Sequence, residues 1–401
     1  MWRSVHSILF AAGLSAIATL AEGATLSVIH TFRGGSDGAE PWSAPIMDAA
    51  GNLYGTTAFG GNGQGCPVAD HGGCGTVYKI TPDGTETVLY AFRGNSDGRF
   101  PQAGLLLDEG GNLFGTTLLG GNAGCNGDGC GTVFRIAPDG DETILHAFAA
   151  DGSDAAEPVA GLVRDSSGNL YGAGTGGGPA RSGMIFRIAP DNTYSIVHIF
   201  TGKPEQQGNP NSLMIDRYDN IYGTTGYPGE YEYCEGYCGT IFTVTMFGVF
   251  RTLHVFSTAE GTIPAGTLVK DGSGSLYGTT YGGGTAACGC GTIFRLAKDG
   301  TFTRLYSFQA GTDGAWPEGG VAMDKNGNLF GTTVDGGAGC SMGCGTLFRL
   351  DSAGTESVVY SFLKKKGASP VSGVFRADGG RLYGTALLDG GGKGTVFKIR
   401  P

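Results

Sequence analysis

Apolar positions along this chain come in short alternating bursts, not in helical stripes. The tract LYGTT at 53–57 returns as LFGTT at 113–117, LYGAG at 170–174 and IYGTT at 221–225, then at 276–280, 329–333 and 382–386. The steps are 51–60 residues. A second tract keeps phase with it, from GTVYKI at 75–80 to GTVFKI at 394–399. A third ends on Phe32, Phe92, Phe148, Phe200, Phe256, Phe308 and Phe362, and a fourth, as in GLLLD at 104–108, precedes the first. All are rich in Val, Ile, Thr, Tyr and Phe and are bounded by Gly, Asn, Asp and Pro, which is the signature of strands joined by tight turns. D-x-x-G-N links the fourth tract to the first, and P-D-G or a relative links the second to the third.

In order from a common axis the tracts are a (GLLLD), b (LYGTT), c (GTVFKI) and d (ETVLYAF). The chain supplies d alone at 25–32, then abcd six times, then a, b and c. The offset leaves the last unit short of one strand, which the first strand completes, so a closed ring has no orphan strand and no open edge. The expected fold is all-β: a seven-bladed β-propeller of four-stranded antiparallel blades, closed by the N-terminal strand joining the last blade. It forms one unit over 24–401, after a segment at 1–23.

The repeat absorbs most of the aromatic residues. Tyr and Phe recur in b and c, and with the strand d Phe they are read as rings filling the blade interfaces. His30, His146, His198 and His254 share one strand d position with Tyr90, Tyr306 and Tyr360. An interchangeable His/Tyr slot packs and hydrogen-bonds; it is not a metal cluster. His71, beside Asp70, is aperiodic and reads as an exposed loop pair.

Composition narrows the class. Of 401 residues 77 are Gly, so long helices are excluded, and a net charge of −10 argues against nucleic acid as a partner. Arg3 followed by the apolar stretch 8–20 and Ala21-Glu22-Gly23 reads as a cleavable secretory signal, too short to span a bilayer. The mature protein is expected to be secreted, periplasmic or extracellular, monomeric and without a transmembrane segment.

The composite L-Y-G-T-T…G-T-V-F-K-[IL]-x-P-D-G…Y-x-F-x-G-x-x-D-G-x-x-P…G-N resembles the Gloeobacter–Verrucomicrobia (GloVer) tandem repeat of exported bacterial proteins over about 25–401. Its register is similar to that of NHL-type propeller repeats. The resemblance implies export and no general activity. Members often carry a C-terminal anchoring segment; this chain reaches Pro401 directly after strand c.

Ten cysteines form five local pairs in b–c connections: Cys66/Cys74, Cys125/Cys130, Cys234/Cys238, Cys288/Cys290 and Cys340/Cys344. In an exported chain these read as disulfide clips, since zinc would need two pairs to converge and a ring holds them apart. One intervening residue cramps a Cys288/Cys290 bridge, which is expected to be strained, reducible or left open. Asp37, Asp97 and Asp313 in the d–a loops are weak calcium candidates, for one acid per loop is thin and an Asp-Gly turn explains the motif. No cofactor is expected, and no nucleophile, phosphate-loop or metalloprotease motif is present.

In an antiparallel blade the d–a and b–c loops share a face. That face gathers aperiodic aromatics: Trp42, Phe100 and Trp316 beside the d–a prolines, and Tyr227, Tyr231, Tyr233 and Tyr237 in the fourth unit. Exposed aromatics suit stacking on sugar rings or a protein hot spot. The expected function is a non-catalytic binding or scaffold module whose ligand is an extracellular glycan or protein. The alternatives are a glycan-active lyase or hydrolase with acids at the channel mouth, and a structural protein of the cell envelope.

Overall fold

The computed structural model describes residues 24–61, 66, 72–94, 96–122, 124–149, 151–203, 208–226, 238–340, 343–388 and 391–401. The expected signal segment at 1–23 lies outside these residues, as do Asp70, His71 and Tyr227, Tyr231, Tyr233 and Tyr237 of the fourth unit.

Seven antiparallel sheets form a β-propeller, each ordered a–b–c–d from the axis outward. In the first blade Ile46–Met47, Leu53–Thr57, Thr76–Ile80 and Glu86–Ala91 pair in sequence. The last blade is completed as the offset requires. Its strands Phe375–Arg376, Leu382–Ala386 and Thr395–Ile399 take Leu26–Thr31 as the fourth, with Val28 opposite Phe397. A side chain also stitches the seam, where Thr385 Oγ1 donates to the Ser43 carbonyl at 3.1 Å.

The repeated letters now have causes. The glycine of each LYGTT lies directly opposite the strand c aromatic, as Gly115 does opposite Phe134. A Cβ on Gly115 would sit 2.5 Å from the Phe134 ring, so a side chain there would evict it. The last threonine of the tract pairs with the first of strand c in a buried Thr–Thr hydrogen bond, 2.8 Å at Thr57–Thr76 and again at Thr117–Thr132. Each strand d Phe packs edge-on against the strand c aromatic of the next blade. Phe92–Phe134 and Phe362–Phe397 stand 5.0 and 5.1 Å apart, and Phe32–Tyr78 closes the ring at 5.2 Å. Full burial of each ring contributes about 1.5–3 kcal/mol, so the inter-blade seams hold most of the core.

The innermost strand is the irregular one. In four blades it has shrunk to two residues plus an isolated bridge between the d–a and b–c loops, such as Ala39–Phe59 and Ala315–Asp335. In the third blade it is split into Ala155–Pro158 and Val163–Arg164. In these five blades the d–a proline, which has no N–H for the ladder, lies where pairing lapses, whereas Pro210–Ile215 and Thr262–Lys270 stay continuous with their prolines inside. The loop-to-loop bridges also place the d–a and b–c loops on one face, as the alternation of strands requires.

Candidate functional site

The d–a prolines build the site. Every d–a loop delivers a proline whose ring lies against the first glycine of strand c in the preceding blade. A Cβ on Gly131 would come within 2.8 Å of Pro158 Cδ, and one on Gly394 within 2.5 Å of Pro41 Cδ, so this lock also crosses the ring seam.

The residue before each proline is Glu40, Phe100, Glu157, Asn209, Ile263, Trp316 or Ser369, and all seven have positive φ, between 53° and 58°. Side-chain-bearing residues avoid this region, a β-branched one such as Ile263 most of all, so the surroundings must impose it. Two hydrogen bonds do so. The backbone N–H reaches across to the preceding blade, where it meets the carbonyl of the residue before the strand c glycine: Phe100 to Cys74 at 3.0 Å, Glu157 to Cys130 at 2.9 Å, Trp316 to Cys290 at 2.9 Å. The carbonyl is held by its own blade, for example by the N–H of Leu118 on Phe100. In five blades the accepting residue is the second cysteine of the pair; in the other two it is Ser182 or Lys393.

The disulfides therefore fasten more than their own loops. Bridges Cys66–Cys74, Cys125–Cys130, Cys288–Cys290 and Cys340–Cys344 are closed. Cys238 is also disulfide-bonded, and its expected partner Cys234 lies outside the described residues. Each clip fixes the carbonyl that holds the next blade's pre-proline residue.

The residue after each proline faces the axis. Trp42, Gln102, Val159, Asn211, Ala265, Glu318 and Val371 line one cavity of about 850 Å³, to which every blade contributes. Below this ring the wall is made of small residues, among them Gly104, Gly161 and Gly320, and then of apolar ones such as Leu105, Leu162 and Val374. Among the described residues no Lys, Arg or His lines the cavity, and Glu318 is its one carboxylate. Burial pushes the Glu318 carboxyl above its ordinary pKa. Among the described residues no hydrogen bond or ion pair engages this carboxyl. Asn211 is held in place, its amide donating to the Pro264 carbonyl at 2.9 Å and accepting from Thr224 Oγ1 at 2.6 Å.

The expected site residues separate here. Trp42 is half-buried in the cavity wall. Trp316 is 36% exposed and stacks, at 6.4 Å and 14°, on Tyr281, which also lines the cavity. Phe100 turns away onto Phe59, with ring centres 5.0 Å apart and the Arg99 guanidinium over its face. The acids of the d–a loops are engaged by protein donors. Asp37 takes His30 at 3.1 Å and the Arg33 N–H at 2.6 Å; Asp97 takes Tyr90 at 2.9 Å and the Arg93 N–H; Asp313 takes Tyr306 at 2.8 Å and the Gln309 N–H. The His/Tyr slot is thus a packing and hydrogen-bonding position. Across the seam of the first blade Glu86 joins His30 and Asp37, their ligand-type atoms lying within 4.8 Å of one another. The sequence reading missed Glu318, Gln102, Asn211 and Tyr281. For Glu318, Gln102 and Asn211 a signal was present, since the post-proline position changes chemical type from unit to unit beside a constant proline; Tyr281 instead follows the LYGTT tract at 276–280.

The sequence pattern of the Gloeobacter/Verrucomicrobia repeat matches residues 10–237 and 234–401. The chain belongs to this repeat family. No protein of curated function matches it in sequence. Among solved structures, the extracellular domain of a hybrid two-component system protein from B. thetaiotaomicron is 10% identical with a TM-score of 0.55, over 93% of this chain and 39% of that one. A protein from Bacteroides uniformis named as a 6-phosphogluconolactonase is 14% identical with a TM-score of 0.50, over 80% and 86%. A gluconolactonase from Xanthomonas campestris is 17% identical with a TM-score of 0.45, over 92% and 98%. At these identities the GloVer chain shares a fold with the first two and nothing finer follows.

Proposed function

We propose that this GloVer protein is an exported, non-catalytic binding propeller that holds a saccharide at the loop-face mouth of its axial cavity. The observation that carries the reading is the post-proline ring. These positions change chemical type from unit to unit, and together they offer an indole, two amides and a carboxylate around one cavity. Aromatic faces stack on the C–H faces of sugar rings, while amides and carboxylates meet the hydroxyls. A rigid frame carrying variable residues is the usual design of a binding surface. The disulfides and the lack of a long apolar helix among the described residues fit an exported protein. Supporting binding over hydrolysis is the single carboxylate on the described wall, since glycoside hydrolysis usually takes a pair.

Calorimetric titration of the full chain with cellopentaose tests this. Wild type is expected to bind, and Trp42→Ala to weaken binding at least about tenfold, the scale of one lost aromatic contact. Equal affinity in both removes the cavity from the account. Release of reducing ends would favour the glycan-active enzyme instead. Silence toward every saccharide would favour a protein ligand or an envelope-structural role.

A further inference from the structure

The cavity wall has a charge pattern that narrows the ligand. Glu318 is a carboxylate set among Gly319, Gly320 and Val321, with no cation on the described wall to balance it and no protein donor on its oxygens. The aspartates of the d–a loops differ in this respect. Asp37, Asp97 and Asp313 each receive two protein donors. An acid in such a wall is normally paired, because a half-buried carboxylate left alone loses hydration for nothing in return. The Trp42 indole lines the same wall, and Glu157 stands exposed at the pre-proline position of the third blade. Carboxylates with an indole are what a cation meets in a receptor, through charge-assisted hydrogen bonds and the ring face.

We propose that the ligand is an amino-sugar oligosaccharide with free amino groups, and that Glu318 is the residue that selects the amine. This rests on the saccharide reading above and deepens it. An ammonium supplies the donors that the Glu318 oxygens lack, while the sugar ring covers Trp42. The same wall disfavours uronic acids, sulfated sugars and phosphosugars, which would place like charge against Glu318 with no cation to answer it.

The test compares three probes on the full chain at pH 6.5 and 0.15 M salt: glucosamine pentamer, its fully N-acetylated counterpart and cellopentaose. Wild type is expected to bind the free-amine pentamer about tenfold more tightly than the other two, the scale of one charge-assisted hydrogen bond. Glu318→Gln keeps the shape and removes the charge, so it should bring all three probes to similar affinity. Glu109→Gln, in an exposed turn on the opposite face, controls for the general attraction between a cation and an acidic protein. It should leave the tenfold ratio intact. The proposal is overturned if wild type shows no preference for the amine, or if Glu318→Gln retains the preference. If no saccharide binds at all, the saccharide reading fails first, and that outcome differs from binding without preference. Circular dichroism of Glu318→Gln matching wild type separates lost selectivity from lost fold.

Discussion

Single residues account for the ring's seams. The His/Tyr slot was legible because seven copies align themselves: His30, Tyr90 and Tyr306 replace one another and each bonds an acid seven residues on. The third member was not legible, since it comes from strand d of the next blade. Glu86 faces Asp37 and Glu142 faces Asp97, and in both cases burial first and the neighbouring carboxylate second raise the Glu pKa to about 7. Where that position is aromatic the seam is stacked instead, as His198 is on Phe250 at 3.7 Å, and burial holds His198 down at about 4. A raised carboxyl favours the neutral form in the fold. The stabilisation is full below about 4.5 and is lost as pH rises through about 7. Glu86→Gln and Glu142→Gln should therefore stabilise the protein at pH 8, by roughly 1 kcal/mol each after allowance for solvent, and leave it unchanged at pH 4. Thermal melts at the two pH values decide this, and equal shifts at both would contradict the carboxyl pairing.

At the scale of elements, the b–c hairpin of one blade and the d–a loop of the next act as a unit. The cysteine pairs were visible in the sequence from their spacing and place before strand c. Their cross-blade role was not, because the groups that carry it are backbone carbonyls, which no residue letter reveals. The Cys130 carbonyl accepts from Glu157, and the Cys125–Cys130 bridge holds that carbonyl. Replacing both cysteines with serine should cost about 2 kcal/mol, as closing a short loop predicts. It should also speed hydrogen exchange at the Glu157 amide in the neighbouring blade, while the Asn209 amide, bonded to Ser182, stays protected. Exchange confined to the clipped loop would refute the coupling between blades. The same comparison explains why the aromatic signal in the sequence sorted unevenly. Trp42 faces the cavity because it follows the proline, whereas Phe100 precedes one and its ring folds back onto Phe59.

For the whole molecule, the strand count determined closure and the structure closes where the count requires. Leu26–Thr31 pairs with Thr395–Ile399, Pro41 packs on Gly394 and Thr385 reaches Ser43 across the seam. Removing residues 1–32 would leave Thr395–Ile399 as an open sheet edge and take Phe32 from Tyr78. Such a chain should melt earlier and self-associate in sedimentation, as unpaired edges do; a monomer of unchanged stability would argue against the seam. The axial cavity was less legible, because its wall is assembled from one residue per blade, each unremarkable in its own unit. Two of the chain's three tryptophans, Trp42 and Trp316, belong to this mouth, directly or through Tyr281. Tryptophan emission of the full chain, titrated with glucosamine pentamer, therefore reads the site itself. The account predicts a saturable change that Trp42→Phe largely abolishes and Glu318→Gln shifts to about tenfold higher concentration. Saturable binding seen by calorimetry with no change in emission would place the ligand elsewhere and contradict the central claim.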